Sequence, residues 1–204
     1  MTISKLAPSK RVEGRWLAFL EDGTILRIGE NEVLDFALYA GKELDEAEAA
    51  RLLDSARRSG LKERALELLS RKPLSRRELE RRLQEWEAGE EEAAAICDRM
   101  EELGYLNDAD YAARVARHYS AKGYGERKLR DELYRRGVPR QLWDDALAQV
   151  QDPGEAIDAF VQKKLAGRTP DRKELKKVSD ALARRGYSWS DISAALERYG
   201  AEDE

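Results

Sequence analysis

The chain has 204 residues, with 37 Lys and Arg against 41 Asp and Glu, for a formal net charge of −4. Charged residues make up 38% and aromatics only 7%, so cores are expected to be thin. One cysteine excludes an intramolecular disulfide framework and a multi-cysteine metal site, and one histidine nearly removes His-based triads and zinc sites.

Strand signals come early. Arg11–Leu20 and Thr24–Ile28 flank Asp22-Gly23, and Asp-Gly between apolar runs predicts a two-stranded hairpin with a type I′ turn. That loop places Leu20 opposite Ile25 and Phe19 opposite Leu26. The run Met1 to Arg11 lacks a signal-peptide pattern.

Helical periodicity follows from Asn31 onward. Val33, Phe36, Ala37 and Ala40 share one face, with Gly41 as the stop. Asp45 and Glu48 form a capping pair for a helix burying Ala49, Leu52, Leu53 and Ala56, which Gly60 is expected to end.

From Leu61 a three-helix unit recurs. In the first copy Ser75 and Glu78 form a capping box, and Leu74 and Leu79 its staple. Leu79, Leu83 and Trp86 face inward. A polar joint, Glu87–Glu92, leads to a helix with Ala93, Ile96, Cys97, Met100 and Leu103 inward.

In the second copy Asp108 opens a helix with Tyr111, Val115 and Tyr119 inward. Gly123-Tyr-Gly125 leads to a helix carrying Leu129 and Leu133 and stopping at Gly137. Pro139 starts a third helix burying Leu142, Trp143, Ala146 and Leu147. The third copy starts at Asp152-Pro153 and buries Ile157, Phe160 and Val161. Its second helix runs from Thr169-Pro170 to Gly186, through Leu175, Val178 and Leu182. Its last is capped by Ser188 and Asp191, with Tyr187 and Ile192 as the staple.

Leu133-Tyr-Arg-Arg-Gly137 and Leu182-Ala-Arg-Arg-Gly186 stand 49 residues apart. Such a period predicts stacked helical modules. The expected fold is mainly α: tandem three-helix repeats in an elongated array with a small N-terminal β-hairpin plus helices. The expected divisions are 1–60, 61–107, 108–151 and 152–204.

The chemistry is sparse. No phosphate loop of the form GxxxxGK[ST] is present, and Gly123-Tyr-Gly125 reads as a helix joint. Cys97 lies on an apolar stripe, as a small hydrophobe. His118 is a helix-edge residue tied to no nucleophile. Trp16, Trp86, Trp143 and Trp189 read as structural, one per module. No metal, cofactor or catalytic set is expected, and no apolar run is long enough to span a membrane.

What remains is basic charge. Residues 111–150 hold 9 basic and 5 acidic side chains, net +4, whereas the other segments are net negative. The candidate contact residues are Arg117, Arg127, Lys128, Arg130, Arg135 and Arg140. Helical geometry sends Arg127, Lys128 and Arg135 outward and Arg130 to the flank, with Asp131 as the one outward acid. Arg136 is expected to cover core. A solvated helix face with no partner is the competing interpretation.

Gly104-Tyr-Leu-Asn-Asp-Ala-Asp-Tyr-Ala112, Gly123-Tyr-Gly-Glu-Arg-Lys-Leu-Arg-Asp-Glu-Leu133 and Arg136-Gly137-Val138 resemble the RecX family of RecA modulators. Leu74-Ser-Arg-Arg-Glu-Leu79 is similar to the opening of that family's first repeat. Gly41-Lys-Glu-Leu44, with the hairpin before it, resembles the N-terminal extension of some members. The missing signal-peptide pattern points to the cytoplasm, and a monomer is expected; the resemblance implies a non-enzymatic protein of three tandem three-helix repeats. It would bind along the groove of a RecA–single-stranded-DNA filament, contact the strand weakly itself, and lower RecA's recombinase, ATPase and co-protease activities.

Two other classes remain. One is a helix-turn-helix transcription regulator, whose third helices would enter the major groove. Asp144, Asp145, Asp191 and Glu197 on those helices speak against it. The other is a helical scaffold with no nucleic acid.

Overall fold

The computed structural model describes residues 1–150, 152–165 and 170–202. The chain divides into two compact units. One holds Met1–Lys72 with Arg82–Met100, and the other holds Pro73–Arg81 with Glu101–Glu204.

The first unit opens on a three-stranded antiparallel sheet, β1 (Ile3–Pro8), β2 (Arg15–Leu20) and β3 (Ile25–Gly29), in that order. The expected hairpin is present, but its register differs by one. Phe19 pairs with Ile25 and Ala18 with Leu26, around the three-residue loop Glu21-Asp22-Gly23. The Gly23 amide donates to the Leu20 carbonyl at 3.1 Å and Gly23 takes φ +86. Together these make a turn closed by a left-handed residue rather than a two-residue I′ turn. The strand β1 was not expected. Its first residue exchanges hydrogen bonds with the later chain, Ile3 amide to Lys42 carbonyl at 2.9 Å and Gly41 amide to Ile3 carbonyl at 2.7 Å.

Those bonds explain a second difference. The helix α1 (Glu30–Asp35) stops five residues before Ala40. Ala37 turns to φ +44, and Leu38 rather than Ala37 or Ala40 enters the core. Tertiary pairing of residues 41–42 with β1 overrides the local helical pattern. Buried Glu32 on α1 accepts from the Gly29 amide at 2.8 Å, Ser55 Oγ at 2.8 Å and Ser59 Oγ at 2.6 Å. Burial pushes its carboxyl up, but the three donors outweigh that and hold it below the ordinary range.

The two serines lie on α2 (Glu46–Arg71), which Asp45 opens with the expected capping box. Gly60 does not end this helix, which runs on for 26 residues. Leu53, expected inside, is 46% exposed.

The next helices are α3 (Arg76–Glu85) and α4 (Glu90–Glu102). Ser75 and Glu78 form the expected capping box, and Leu74 and Leu79 are buried. Ala93, Ile96, Cys97 and Met100 are buried as expected, but Leu103 is 45% exposed because α4 has already ended. Trp86 is half-buried, with the Arg64 guanidinium over its ring at 4.1 Å.

The second unit continues with α5 (Asp108–Ala121), capped by Asn107, and α6 (Glu126–Arg135). Pro139 opens only a single 3₁₀ turn, Arg140–Leu142, ahead of the six-residue α7 (Trp143–Ala148). Tyr111, Val115, Leu129, Leu133, Trp143 and Ala146 form one core. The last three helices are α8 (Pro153–Leu165), α9 (Arg172–Arg184) and α10 (Trp189–Glu202). Ile157, Val161, Val178, Leu182, Tyr187 and Ile192 form their core. Asp171, with Glu174, caps α9; the expected start at Thr169 lies outside the described residues. Trp189, expected to be structural, is 69% exposed.

Candidate functional site

The second helices of the three-helix units, α3, α6 and α9, meet end to end. The C-terminal turn of α6 reaches the N-terminus of α3, where the Ser75 hydroxyl donates to the Arg136 carbonyl. The C-terminal turn of α9 reaches the N-terminus of α6 in the same manner. There the Gly125 amide donates to the Arg185 carbonyl at 3.0 Å and the Arg127 amide to the Gly186 carbonyl at 3.1 Å. Each joint thus gives carbonyls left over at one helix end a donor at another helix start, a hydroxyl in the first joint and backbone amides in the second, and sets opposite dipole ends together.

Charged side chains lock the first joint. Arg136 Nη1 donates to the Tyr111 hydroxyl at 2.8 Å, and that hydroxyl donates to Glu78 Oε2 at 2.8 Å. Burial and then Glu78 push the Tyr111 hydroxyl up to about 12. Burial works against the Arg136 charge, yet Tyr119, Tyr111 and Glu78 hold its guanidinium above the usual arginine range. The expectation that Arg136 covers core therefore understates its role as a tie across the joint. Asp108 accepts from the Arg76 amide at 2.8 Å, and burial raises its carboxyl.

These joints redirect the cations expected to face a partner. Arg127 Nη2 donates to the Ala183 carbonyl at 2.9 Å, so its head is docked on α9. Lys128 is half-buried beside Gly186 and 3.5 Å from Glu132, which corrects its outward placement. Arg130 is held between Glu126 at 2.7 Å and Asp144 at 2.9 Å. Asp131 is thus not the one acid near these cations. Arg135 is exposed, 3.4 Å from Glu132. Arg117 is exposed and donates to Gln149 at 3.0 Å, and exposed Arg140 lies over the Trp143 ring at 5.7 Å. Of these six, Arg117, Arg127, Arg135 and Arg140 are exposed, and they sit on three different elements.

A second basic face was missed. On α9, buried Val178 and Leu182 fix the inward direction, and at about 100° per residue Lys173, Lys176, Lys177 and Arg184 point away from it. Lys173, Lys176, Lys177 and Arg184 are exposed, and none is paired with a carboxylate among the described residues. Lys176, Lys177 and Arg184 stand 49 residues after Arg127, Lys128 and Arg135. On α6 the next helix end bonds Arg127 and half-buries Lys128; on α9 nothing of the kind meets the matching positions among the described residues. The signal was in the sequence as the repeat offset, but the net charge of residues 151–204, −1, hid it.

Cys97 is fully buried, His118 is exposed and edge-on to Tyr119 at 5.4 Å, and no acidic, His or Cys group among the described residues is placed to hold a metal. No helix among them is long and apolar enough to cross a membrane.

Comparison with known proteins gives the same three units. Family models for the first, second and third three-helix domains of RecX match residues 62–100, 107–147 and 152–196. Regulatory protein RecX of Pseudomonas fluorescens is 36% identical over 141 residues, covering 68% of this chain and 91% of the relative. Regulatory protein RecX of Levilactobacillus brevis is 28% identical over all of this chain and 80% of the relative. A crystal structure of a regulatory protein RecX superposes with a TM-score of 0.75 at 25% identity, covering 96% of this chain and 98% of the other. These relatives are regulators rather than enzymes, and three consecutive domain matches on three structural repeats place the chain in the RecX family.

Proposed function

We propose that this chain binds the RecA–single-stranded-DNA filament and lowers RecA's recombinase, ATPase and co-protease activities, without hydrolysing ATP itself. Membership in a family of regulatory proteins supports this reading, and the observation that carries it is the basic face of α9. Lys173, Lys176, Lys177 and Arg184 form a stripe, broken by exposed Asp180, in which none of the four is paired with a carboxylate among the described residues, in a chain that is acidic as a whole. Such a local field attracts DNA phosphates or acidic protein side chains. Arg117, Arg135 and Arg140 extend the contact from the middle repeat. The chain works in the cytoplasm as a monomer.

The helix-turn-helix alternative fits less well. The third helix of the middle unit is a 3₁₀ turn and six residues. It exposes Asp144 and Asp145, which phosphates would repel.

Co-sedimentation with preformed RecA filaments, beside bare duplex and bare single strands, tests the reading. The chain is expected in the filament pellet, with ATP hydrolysis by RecA slowed as it is added. Full RecA activity at saturating chain would overturn it.

A further inference from the structure

Residues 1–61 precede all three matched domains, and none of the contacts proposed above lies on them. The sheet they form has two unlike faces. Ile3, Ala18, Leu20 and Ile28 point into the core. The opposite face carries Lys5 beside Phe19, Leu17 beside Arg27, and Ile25 beside Phe19 as cross-strand neighbours. The β1–β2 connection curls over it, bringing Lys10 and Arg11 to the rim of a concavity of about 920 Å³.

The chemistry of this concavity differs from that of the rest of the chain. Its lining includes Lys5, Lys10, Arg11, Arg15 and Arg27 and no carboxylate. Arg15 is paired with Glu63. The other four are exposed, and none of them is paired with a carboxylate among the described residues. The floor is apolar: Leu17 and Phe19 are half-buried and Ile25 is 51% exposed. Lys5 Nζ lies over the Phe19 ring at 5.5 Å, so the aromatic sits within the ring of charge.

We infer that this open sheet face is a binding site for single-stranded DNA. Unpaired bases have flat apolar faces that lie on Phe19, Leu17 and Ile25, while their phosphates reach the four cations. Stacking on an aromatic floor inside a basic groove is how single strands are held without sequence readout. A duplex hides its bases and meets only the rim. An acidic protein segment satisfies the rim but leaves the floor empty. The choice of DNA over RNA rests on the function proposed above; the use of a single strand rests on the sheet alone.

The test uses the full chain, without RecA, and a fluorescent thymidine oligonucleotide of roughly 30 nucleotides, longer than the site of a small single-strand binder. Anisotropy is read at several salt concentrations. The triple variant Lys5→Glu, Lys10→Glu, Arg27→Glu is expected to bind at least about tenfold more weakly. The logarithmic salt slope is expected to fall by about 2, near 0.7 for each lost phosphate contact. Phe19→Leu keeps an apolar side chain in the sheet; it is expected to weaken binding severalfold with the slope unchanged. The α9 variant Lys173→Glu, Lys176→Glu, Lys177→Glu is expected to keep the slope contribution of the sheet. Wild-type affinity in the sheet variant, with native circular dichroism, would overturn the proposal. So would equal binding of duplex, equal displacement by polyglutamate, or tighter binding of the matching uridine oligonucleotide. Because RecA is absent, failure here is separable from failure of filament binding.

Discussion

Gly186 and Lys128 approach so closely that a β-carbon on the glycine would lie 2.6 Å from the lysine backbone nitrogen. Gly137 and Arg77 repeat the relationship, with a β-carbon on Gly137 falling 2.8 Å from Arg77 Cβ. Both glycines also take positive φ, +91 and +70, as the left-handed residue that ends a helix. Glu87 holds the matching place after α3, at φ +68, and is exposed. Glycine is thus demanded where a helix end docks on the helix of the unit before it.

Gly125→Ala tests the joint without backbone strain. Its φ is −83, which any residue adopts, but a β-carbon there would lie 2.4 Å from the Tyr187 nitrogen and 2.5 Å from the Gly186 carbonyl. Urea unfolding is expected to show a loss of about 1–3 kcal/mol, the usual cost of forcing atoms into a packed contact. An unchanged midpoint would mean that the α9 end is not seated on Gly125.

Gly60→Ala should act in the opposite sense. Gly60 lies inside α2, and a β-carbon there meets nothing within 4 Å. A gain of about 0.5–1 kcal/mol is expected from lost unfolded-state freedom, measured by the same unfolding experiment. Destabilisation would show that the helix does not run through this position.

Charge reversal separates the two basic faces. Lys173→Glu, Lys176→Glu and Lys177→Glu together should weaken filament binding while leaving stability within about 0.5 kcal/mol per site. Arg127→Glu should instead lower stability by about 1 kcal/mol, through the lost bond to the Ala183 carbonyl. Binding and thermal unfolding of both variants decide it; undiminished binding by the α9 variant would reduce that face to solvated charge.

Tyr111 imposes an alkaline limit. Its hydroxyl ionises near 10 in the unfolded chain and near 12 in the fold. Between those values the unfolded chain has released a proton that the folded chain keeps, so stability falls as pH rises through this window. Tyr111→Phe should remove that part of the decline. Denaturant unfolding at about pH 9 and about pH 11.5 checks the difference.

Glu32 acts at the acid end. Its carboxyl titrates below the unfolded value of 4.5, so its stabilisation is complete above that value and is lost as pH falls through the folded one. Glu32→Gln should cost about 1–3 kcal/mol at neutral pH, because Ser55, Ser59 and the Gly29 amide lose a charged acceptor. The variant should also show a shallower acid decline. A parallel acid decline in both proteins would show that Glu32 carries none of it.

Several elements were legible because their causes are local. The capping pairs Asp45–Glu48, Ser75–Glu78 and Ser188–Asp191 act within one helical turn, and all three form. The apolar faces of α5, α6 and α9 follow from helical spacing alone. The 49-residue offset identified the second and third units, as internal repetition does when each unit buries its face against a neighbour.

The misreadings share another cause. Gly60 looked like a stop because glycine is costly inside a helix, but packing on both sides of it carries α2 through, with Leu52, Leu61 and Ala65 buried. The α1 pattern ran on to Ala40, but hydrogen bonds to Ile3 claimed the backbone first. β1 itself had no partner that sequence spacing points to.

For the candidate site, composition and spacing alone pointed to one basic segment, residues 111–150. Which cations remain free was a tertiary matter. Arg127 and Lys128 occupy the same helical positions as Lys176 and Lys177. The end of α9 bonds Arg127 and half-buries Lys128, whereas nothing of the kind meets the second pair among the described residues. Periodicity assigns a side chain to the inner or outer face of its own helix; only the docking of the next unit decides whether that outer face meets solvent.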